Sequence, residues 1–142
     1  MFMESGFRID NILLLESSFS RVNNVVFSGD IQNKLDIHTD VAVKDNQIIV
    51  GEEVSIIQSF QDLEQVKIRV KMVGMFTQVG ESQITDLDAF GRVNGAAIIF
   101  PFIREIITNT SIKAGLPAII IPPVNFSKAL KQEKTEKQSD QQ

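Results

Sequence analysis

The 142-residue sequence contains no cysteine, no tryptophan and no tyrosine, and only one histidine. Without cysteine, the protein forms no disulfide, uses no thiolate as a nucleophile and holds no cysteine-bound zinc. A chain without cysteine is compatible with a reducing compartment, and we expect a cytoplasmic protein. Its aromatic packing depends on ten phenylalanines, which provide bulk without a hydrogen-bonding group.

Targeting and membrane signals are also missing. The first residues lack a basic segment followed by an apolar run, so they do not predict a secretory signal. The longest strongly apolar stretch, residues 93–103, is well short of the ~20 residues that a membrane-spanning helix needs. The net charge of −4 argues against nucleic acid, which is bound by concentrated basic surface. We therefore expect a soluble protein with neither nucleic acid nor a membrane as its partner.

Candidate catalytic chemistry is sparse. His38 lies between Asp36 and Asp40 on the polar side of a predicted strand, a pattern more typical of an exposed strand histidine than of a catalytic pair. The glycines at positions 91 and 95 are not followed by the Lys-Ser or Lys-Thr of a phosphate-binding loop. No catalytic residue, metal ligand or cofactor is predicted.

Alternating apolar residues dominate the first half of the chain. They predict four strands, at residues 7–17, 34–43, 47–60 and 65–78. Short turns at residues 44–47 and 61–64 join the last three strands, which should form an antiparallel meander. On the last strand, Lys67, Arg69 and Lys71 oppose an apolar face. This basic stripe indicates either a solvated sheet face or a docking surface for an acidic partner.

The second half of the chain predicts helices. A short helix should start at Thr85 and stop at Gly91, and a longer one should run from Asn94 to about Lys113, with Gly115 ending it. Prolines make residues 116–124 extended, and a last short helix is predicted at residues 126–131. The residues from 132 onward contain no apolar side chain and are predicted to be disordered. The chain is thus predicted to be one domain, residues 1–131, followed by a polar tail, residues 132–142.

Apolar residues exceed what a single copy could bury. Residues 93–103 are apolar nearly all round a helix, residues 13–15 make both faces of a strand apolar, and residues 25–27 are apolar within a connection. Such a surplus indicates assembly with other copies, binding of apolar ligands, or both.

Two motifs in the helical half follow the sequence pattern of a known family. The segment Ile99-Phe100-Pro101-Phe102-Ile103-Arg104-Glu105-Ile106-Ile107 is similar to the family pattern Leu-Phe-Pro-Tyr-x-Arg-Glu-x-Ile. After it, Gly115-Leu116-Pro117 and Pro122-Pro123-Val124-Asn125-Phe126 are similar to the family pattern Gly-x-x-Pro, four residues, then Pro-Val-Asn-Phe. Together, in order and at this separation, the two motifs resemble the SecB family, and the resemblance covers roughly residues 7–130. It implies an α+β fold, a four-stranded antiparallel β-sheet with helices packed on one face.

The resemblance also implies a function. SecB proteins are chaperones, not enzymes; they bind unfolded polypeptides in an apolar groove, keep exported precursors unfolded and pass them to the SecA motor. The implied assembly is a homotetramer, a dimer of dimers. By matching position, Leu35, Ile37 and Leu130 would line the groove, and Phe76 and Phe126 are further candidates. Each of these could instead be an ordinary core residue.

One departure from the family pattern concerns the SecA-docking surface, which is acidic in the family. Glu16 keeps one acidic position, but Ser20 stands where another acid is expected. Lys67 and Arg69 occupy positions that are usually apolar and acidic. The change of sign predicts weakened docking to SecA. The alternatives are a SecB-like chaperone dedicated to a toxin–antitoxin partner, or a structural oligomerisation protein without a general client groove.

Overall fold

The computed structural model describes residues 6–80 and 86–132. Four strands come first: β1 (Phe7–Arg21), β2 (Ile31–Lys44), β3 (Gln47–Phe60) and β4 (Leu63–Gln78). They are followed by the helix α1 (Leu87–Phe90), a π-helical segment (Gly91–Gly95) and the helix α2 (Ala96–Lys113). After an extended stretch, helix α3 begins at residue 126 and includes residue 132, the last residue described. The predicted helix start at Thr85 and the rest of the predicted tail lie outside the described residues.

The four strands form one antiparallel sheet in the order β1-β4-β3-β2. The predicted meander of β2, β3 and β4 is therefore confirmed, and β1 joins it on the free side of β4. The β3–β4 hairpin turns through Gln61 and Asp62, whose φ angles of 51° and 65° are of the kind that a two-residue type I′ turn requires. Strands β1 and β2 are left as the two edges of the sheet.

The two faces of the sheet differ in composition. The inner face is covered by the helical region and carries the apolar core, which contains Ile48, Val50, Val54 and Ile56 of β3 and Val66, Ile68, Val70, Met72 and Phe76 of β4. The opposite, outer face carries the basic stripe of Lys67, Arg69 and Lys71 at the surface. The predicted α+β fold, with helices on one face of a four-stranded antiparallel sheet, is confirmed.

The helical region is one continuous helix, so the predicted break between Gly91 and Asn94 is wrong. Both glycines have ordinary helical backbone angles, φ −62° at Gly91 and φ −61° at Gly95. They are needed for packing instead. A Cβ atom on Gly91 would lie 2.8 Å from Cγ1 of Val41, and one on Gly95 would lie 2.8 Å from Cγ2 of Val50. The absence of a side chain lets the helix approach the inner face of the sheet closely.

Substitution Gly95→Ala should destabilise the protein. Val50 is β-branched and fully buried, so it cannot turn away from a new methyl group. Overpacking of this kind costs about 1–3 kcal/mol, which exceeds the roughly 1 kcal/mol that alanine gains in helix propensity. Asn94→Ala, at the exposed neighbouring position, gains propensity without a clash and is the control. Thermal midpoints measured by circular dichroism should fall for Gly95→Ala only; equal midpoints would contradict the packing role.

A carboxyl group lies within the apolar inner face. Glu52 stands between Val50 and Val54 on β3, opposite Thr39 of β2 and Met72 of β4. It is fully buried, and neither side-chain oxygen has a hydrogen-bond partner among the described residues. Burial raises the pKa of Glu52 to about 8, because the charged form would lose its hydration without gaining a partner. Glu52 is therefore mainly protonated in the folded protein at neutral pH.

The buried Glu52 makes stability depend on pH. Between its ordinary pKa of 4.5 and the folded-state pKa of about 8, the unfolded chain releases the Glu52 proton while the folded chain keeps it. Folding therefore loses up to about 1.4 kcal/mol for each pH unit in this window, and no further outside it. The variant Glu52→Gln cannot titrate. We expect its free energy of unfolding, measured by denaturant at fixed protein concentration, to rise relative to the parent as pH increases through the window.

The neighbouring variant Glu53→Gln is a control with the opposite sign. Glu53 is on the outer face, where the hydrogen bond from Arg69 lowers its pKa. A carboxylate of that kind adds stability above its unfolded pKa, and the contribution is lost as pH falls through the folded pKa. Glu53→Gln should therefore be less stable than the parent at neutral pH. Curves for Glu52→Gln and the parent that stay parallel from pH 4.5 to 8 would refute the buried-carboxyl account.

Candidate functional site

An apolar groove runs along β2, the edge strand of the sheet. One side of the groove is β2, joined at the first compartment by Phe27 of the connection between β1 and β2, and the other side is formed by residues 116–125 and helix α3. Leu35 lies where its two halves meet, which we call the first and second compartments; their cavity volumes are about 480 and 630 Å³. The first compartment is lined by Phe27, Ile31, Asn33, Leu35, Ile56, Gln58 and residues 116–122. The second is lined by Leu35, Ile37, His38, Thr39, Asp40, Arg92, Val124, Phe126, Ala129 and Leu130.

The wall formed by residues 116–125 begins where α2 ends. Gly115 takes a φ of +75°, Gly115 N donates to Ile112 O, and Leu116 N donates to Ser111 O, both at 3.0 Å. These two bonds make a Schellman motif, which satisfies the last carbonyls of the helix and reverses the chain. The predicted helix end at Lys113, with Gly115 after it, is confirmed. The chain then runs back beside the sheet edge.

Hydrogen bonds hold this wall against α2. Ile119 O accepts from Thr108 Oγ1 at 2.7 Å, and Ile119 N donates to Ser111 Oγ at 2.9 Å. Leu116 and Ile121 are buried on either side of this point. Ile120, between Ile119 and Ile121, is 71% exposed and lines the first compartment. The wall is thus fixed from behind while it presents an apolar side chain to the groove.

Helix α3 closes the second compartment. Asn125 Oδ1 accepts a hydrogen bond from Lys128 N at 3.0 Å, which caps the start of the helix. Phe126 packs edge-on against Phe100 of α2, with ring centroids 5.5 Å apart. Phe126 is mostly buried by this contact, whereas Leu130, one turn later, is half-buried beside the groove. The predicted helix at residues 126–131 is confirmed.

The structure brings four of the five predicted client-binding residues together. Leu35, Ile37, Phe126 and Leu130 all line the groove. Phe76 does not. It is 1% exposed and packs against the rings of Phe7 and Phe90, each at 6.2 Å between centroids. Because β4 is two strands away from β2, the side chain of Phe76 belongs to the core beneath the helices.

Other groove residues were not predicted. Phe27 is 51% exposed in the connection between β1 and β2, and Ile120 lies on the opposite wall. Their apolar runs, residues 25–27 and 118–121, were the available sequence signal. Arg92 gave none. It lines the second compartment because the helix crosses the sheet there, and it donates from Nε to Asp88 at 2.9 Å and from Nη1 to Thr39 O at 3.3 Å.

The predicted docking residues lie on the outer face. Arg69 forms ion pairs with Glu16 of β1 at 3.0 Å and Glu53 of β3 at 2.7 Å. The hydrogen bond between Arg69 and Glu53 raises the pKa of Arg69, to which the charge of Glu16 adds, and it lowers the pKa of Glu53. Lys67 is exposed, opposite Ser20. The charge of Arg69 is therefore compensated locally, and this face carries charges of both signs.

The single histidine lies in an exposed pair at the groove rim. His38 Nε2 is 2.9 Å from Asp40 Oδ1, and the two side chains are 71% and 65% exposed. Within residues 6–80 and 86–132, no cluster of three or more histidine, aspartate or glutamate side chains could hold a metal ion. In the same residues, no helix is long and apolar enough to span a membrane.

The fold of this chain is that of a SecB-like chaperone of known structure. The structure matches that of the SecB-like chaperone Rv1957 of Mycobacterium tuberculosis with a TM-score of 0.73, over 84% of this chain and 91% of that one, at 16% identity. That protein was solved in complex with a ChAD peptide from the HigA1 antitoxin. At this identity the match establishes the fold.

The chain belongs to the SecB family. The family model described as preprotein translocase subunit SecB matches residues 3–138. The protein-export protein SecB of Hahella chejuensis is 31% identical, over 96% of this chain and 87% of that protein. SecB of Legionella pneumophila strain Corby is 29% identical over 95% and 85%, and an uncharacterized protein of Methanocaldococcus jannaschii is 28% identical over 81% of each chain. The predicted family is confirmed, and with it a chaperone function.

Proposed function

We propose that this SecB-family protein is a holdase, which binds unfolded polypeptides in the groove along β2 and does so without catalysing a reaction. The observation that carries this proposal is the pair of apolar compartments that meet at Leu35 beside a sheet edge. Phe27 and Ile120 are exposed there in the single chain. An unfolded client can cover them and bury its own apolar side chains, which is the main source of favourable free energy.

The client should lie extended in the groove. An edge strand has backbone groups without a neighbouring strand, and an added strand can pair with them. Alternate side chains of an extended client then point toward the compartments. Several grooves in one assembly would hold one long client through many weak contacts. Precursors of exported proteins are the proposed clients, in keeping with the relatives named protein-export protein SecB.

An alternative client is an antitoxin. This reading is supported by the M. tuberculosis SecB-like chaperone, which was solved with an antitoxin peptide. A dedicated chaperone would bind its antitoxin and ignore unrelated unfolded proteins. A structural oligomerisation protein, the other alternative, would bind neither.

Replacing Leu35 and Leu130 by glutamine should weaken client binding. Both side chains line the groove without being fully buried, so the fold should tolerate the change. Losing the burial of two leucines against a client should cost about 1.4 kcal/mol or more, at least a tenfold loss of affinity. The measurements are suppression of light scattering from an unrelated, chemically unfolded protein, and anisotropy of the same protein when labelled.

Leu63→Gln is the matched control, because Leu63 is 72% exposed in the β3–β4 hairpin and lines neither compartment. It should bind like the parent. Equal activity of the groove variant and the parent would refute the groove as the binding site. A parent that suppresses no aggregation at stoichiometric amounts would favour the dedicated or purely structural alternatives.

We also propose a homotetramer, a dimer of dimers, in the cytoplasm. Leu14 and Leu15 on the β1 edge are 49% and 58% exposed, and Phe102 on α2 is 46% exposed. A second copy could cover these surfaces, since closed symmetric assembly is the usual fate of such patches. Size-exclusion chromatography with light scattering should give about four times the chain mass of 15.9 kDa, and Phe102→Glu should lower it. A parent of monomer mass would refute the assembly.

Docking to SecA is proposed to be weak. Glu16 is the acidic position of the family pattern that this chain keeps, and its carboxylate already pairs with Arg69. Exposed Lys67 adds positive charge nearby. A partner that is steered by an acidic surface would meet mixed charges here, and its association would slow accordingly.

A further inference from the structure

We propose that Arg21 and Gln65 are positioning residues, which hold the two walls of the first compartment at a fixed separation and so select clients by the bulk of an anchoring side chain. The two walls are the connection that carries Phe27, residues 22–30, and the stretch of residues 116–122. This inference rests on the proposed client binding for selectivity, whereas the positioning itself can be measured without a client.

Gln65 holds the connection from the start of β4. It is 6% exposed, and its side-chain amide pairs with both backbone groups of Val26: Val26 N donates to Oε1 at 2.6 Å, and Nε2 donates to Val26 O at 3.0 Å. Its own backbone carbonyl accepts from Val22 N at 2.9 Å. Three hydrogen bonds therefore fix the connection immediately before Phe27. Such paired, buried amides are costly to separate.

Arg21 joins the connection to the other wall. It is the last residue of β1 and lies opposite Val66, next to Gln65. Its guanidinium donates to Val22 O and Asn23 O, each at 2.9 Å, and to Ala114 O at 2.5 Å. Ala114 caps the C-terminus of α2, where a cation is favoured by the free carbonyls and the helix dipole. One planar group thus ties the connection to the end of α2, from which the other wall begins.

Arg21 and Gln65 both lie at one end of the β1–β4 ladder. Their contacts hold the connection and the end of α2 there. The connection has no regular strand or helix of its own between Val22 and Asp30, so its position depends on Gln65 and Arg21. The other wall begins after Ala114 and is itself fixed to α2, at Leu116 by the Schellman motif and at Ile119 by Thr108 and Ser111. We call the contacts of Gln65 and those of Arg21 the two clamps. Losing either clamp would let Phe27 move relative to Ile120, while the sheet and α2 keep their positions.

The chain contains no tryptophan or tyrosine, so Phe27→Trp provides a single fluorophore on the wall. In that background, Gln65→Glu keeps the size of the side chain but replaces the donor to Val26 O by an acceptor. Arg21→Met removes the guanidinium donors. Both should lower the tryptophan anisotropy and increase quenching by acrylamide, with the circular-dichroism spectrum unchanged. Arg21→Lys should restore part of the anisotropy.

Arg8→Met is the matched control. Arg8 is on the same strand, at its other end, and pairs with Asp10 at the surface. It should leave the tryptophan signal unchanged. Equal anisotropy and quenching in the clamp variants and in Arg8→Met would overturn the positioning role.

Client selection is tested with Phe27 intact. Polar host peptides that differ at one anchor position, as alanine, leucine, phenylalanine or tryptophan, are titrated by anisotropy. The parent should rank them with a clear preference, and the clamp variants should bind leucine, phenylalanine and tryptophan peptides within about twofold of one another. A uniform loss for all peptides, with the ranking kept, would overturn the selection. If the parent binds none of them, the proposed function fails and selection with it, while the tryptophan signal still decides the positioning.

Discussion

The groove depends on residues 116–125 staying out of the sheet. Pro117, Pro122 and Pro123 have no N–H group, so this stretch cannot form a continuous ladder with β2. Its central residue, Ile119, instead uses both backbone groups on Thr108 and Ser111 of α2. The stretch therefore follows the sheet edge without joining the sheet, and the space between them is the groove. Had it paired with β2, the protein would have a five-stranded sheet and no cavity there.

The scaffold behind the groove is close-packed, whereas its walls are held by a few contacts. Gly91 and Gly95 bring the helix against Val41 and Val50, and Gly74 receives Ile99, whose Cδ1 would be 2.8 Å from a Cβ atom there. Packing this tight leaves little freedom for the sheet and α2 to move. The walls carry less burial and more exposed side chain, so their positions depend on the few hydrogen bonds that hold them.

Local patterns in the sequence predicted the strands and helices well, but they predicted poorly how these elements pack together. Alternation and short turns were sufficient for β2, β3 and β4, and the Lys113–Gly115 signature placed the end of α2. Glycine in a helical pattern predicted a break, but close approach to a sheet produces the same residue, and only the three-dimensional packing separates the two. The family resemblance located the groove on β2 and α3, although it could not separate Phe76 in the core from Phe126 beside the groove. The wall that carries Phe27 was not predicted, because the position of Phe27 depends on contacts with Gln65, which is far away in sequence.

The polar side chains of the groove support the proposed binding of many clients rather than one. Asn33 accepts from Gln58 at 3.1 Å, His38 pairs with Asp40, and Arg92 binds Asp88 and Thr39 O. A site built to recognise one sequence rejects others because mismatched ligands leave its polar groups unpaired. Here each of these side chains has a partner within the chain, so a client in the proposed groove would have fewer polar groups to match. Recognition of a client would then depend on its apolar bulk and extended backbone, which unfolded polypeptides share.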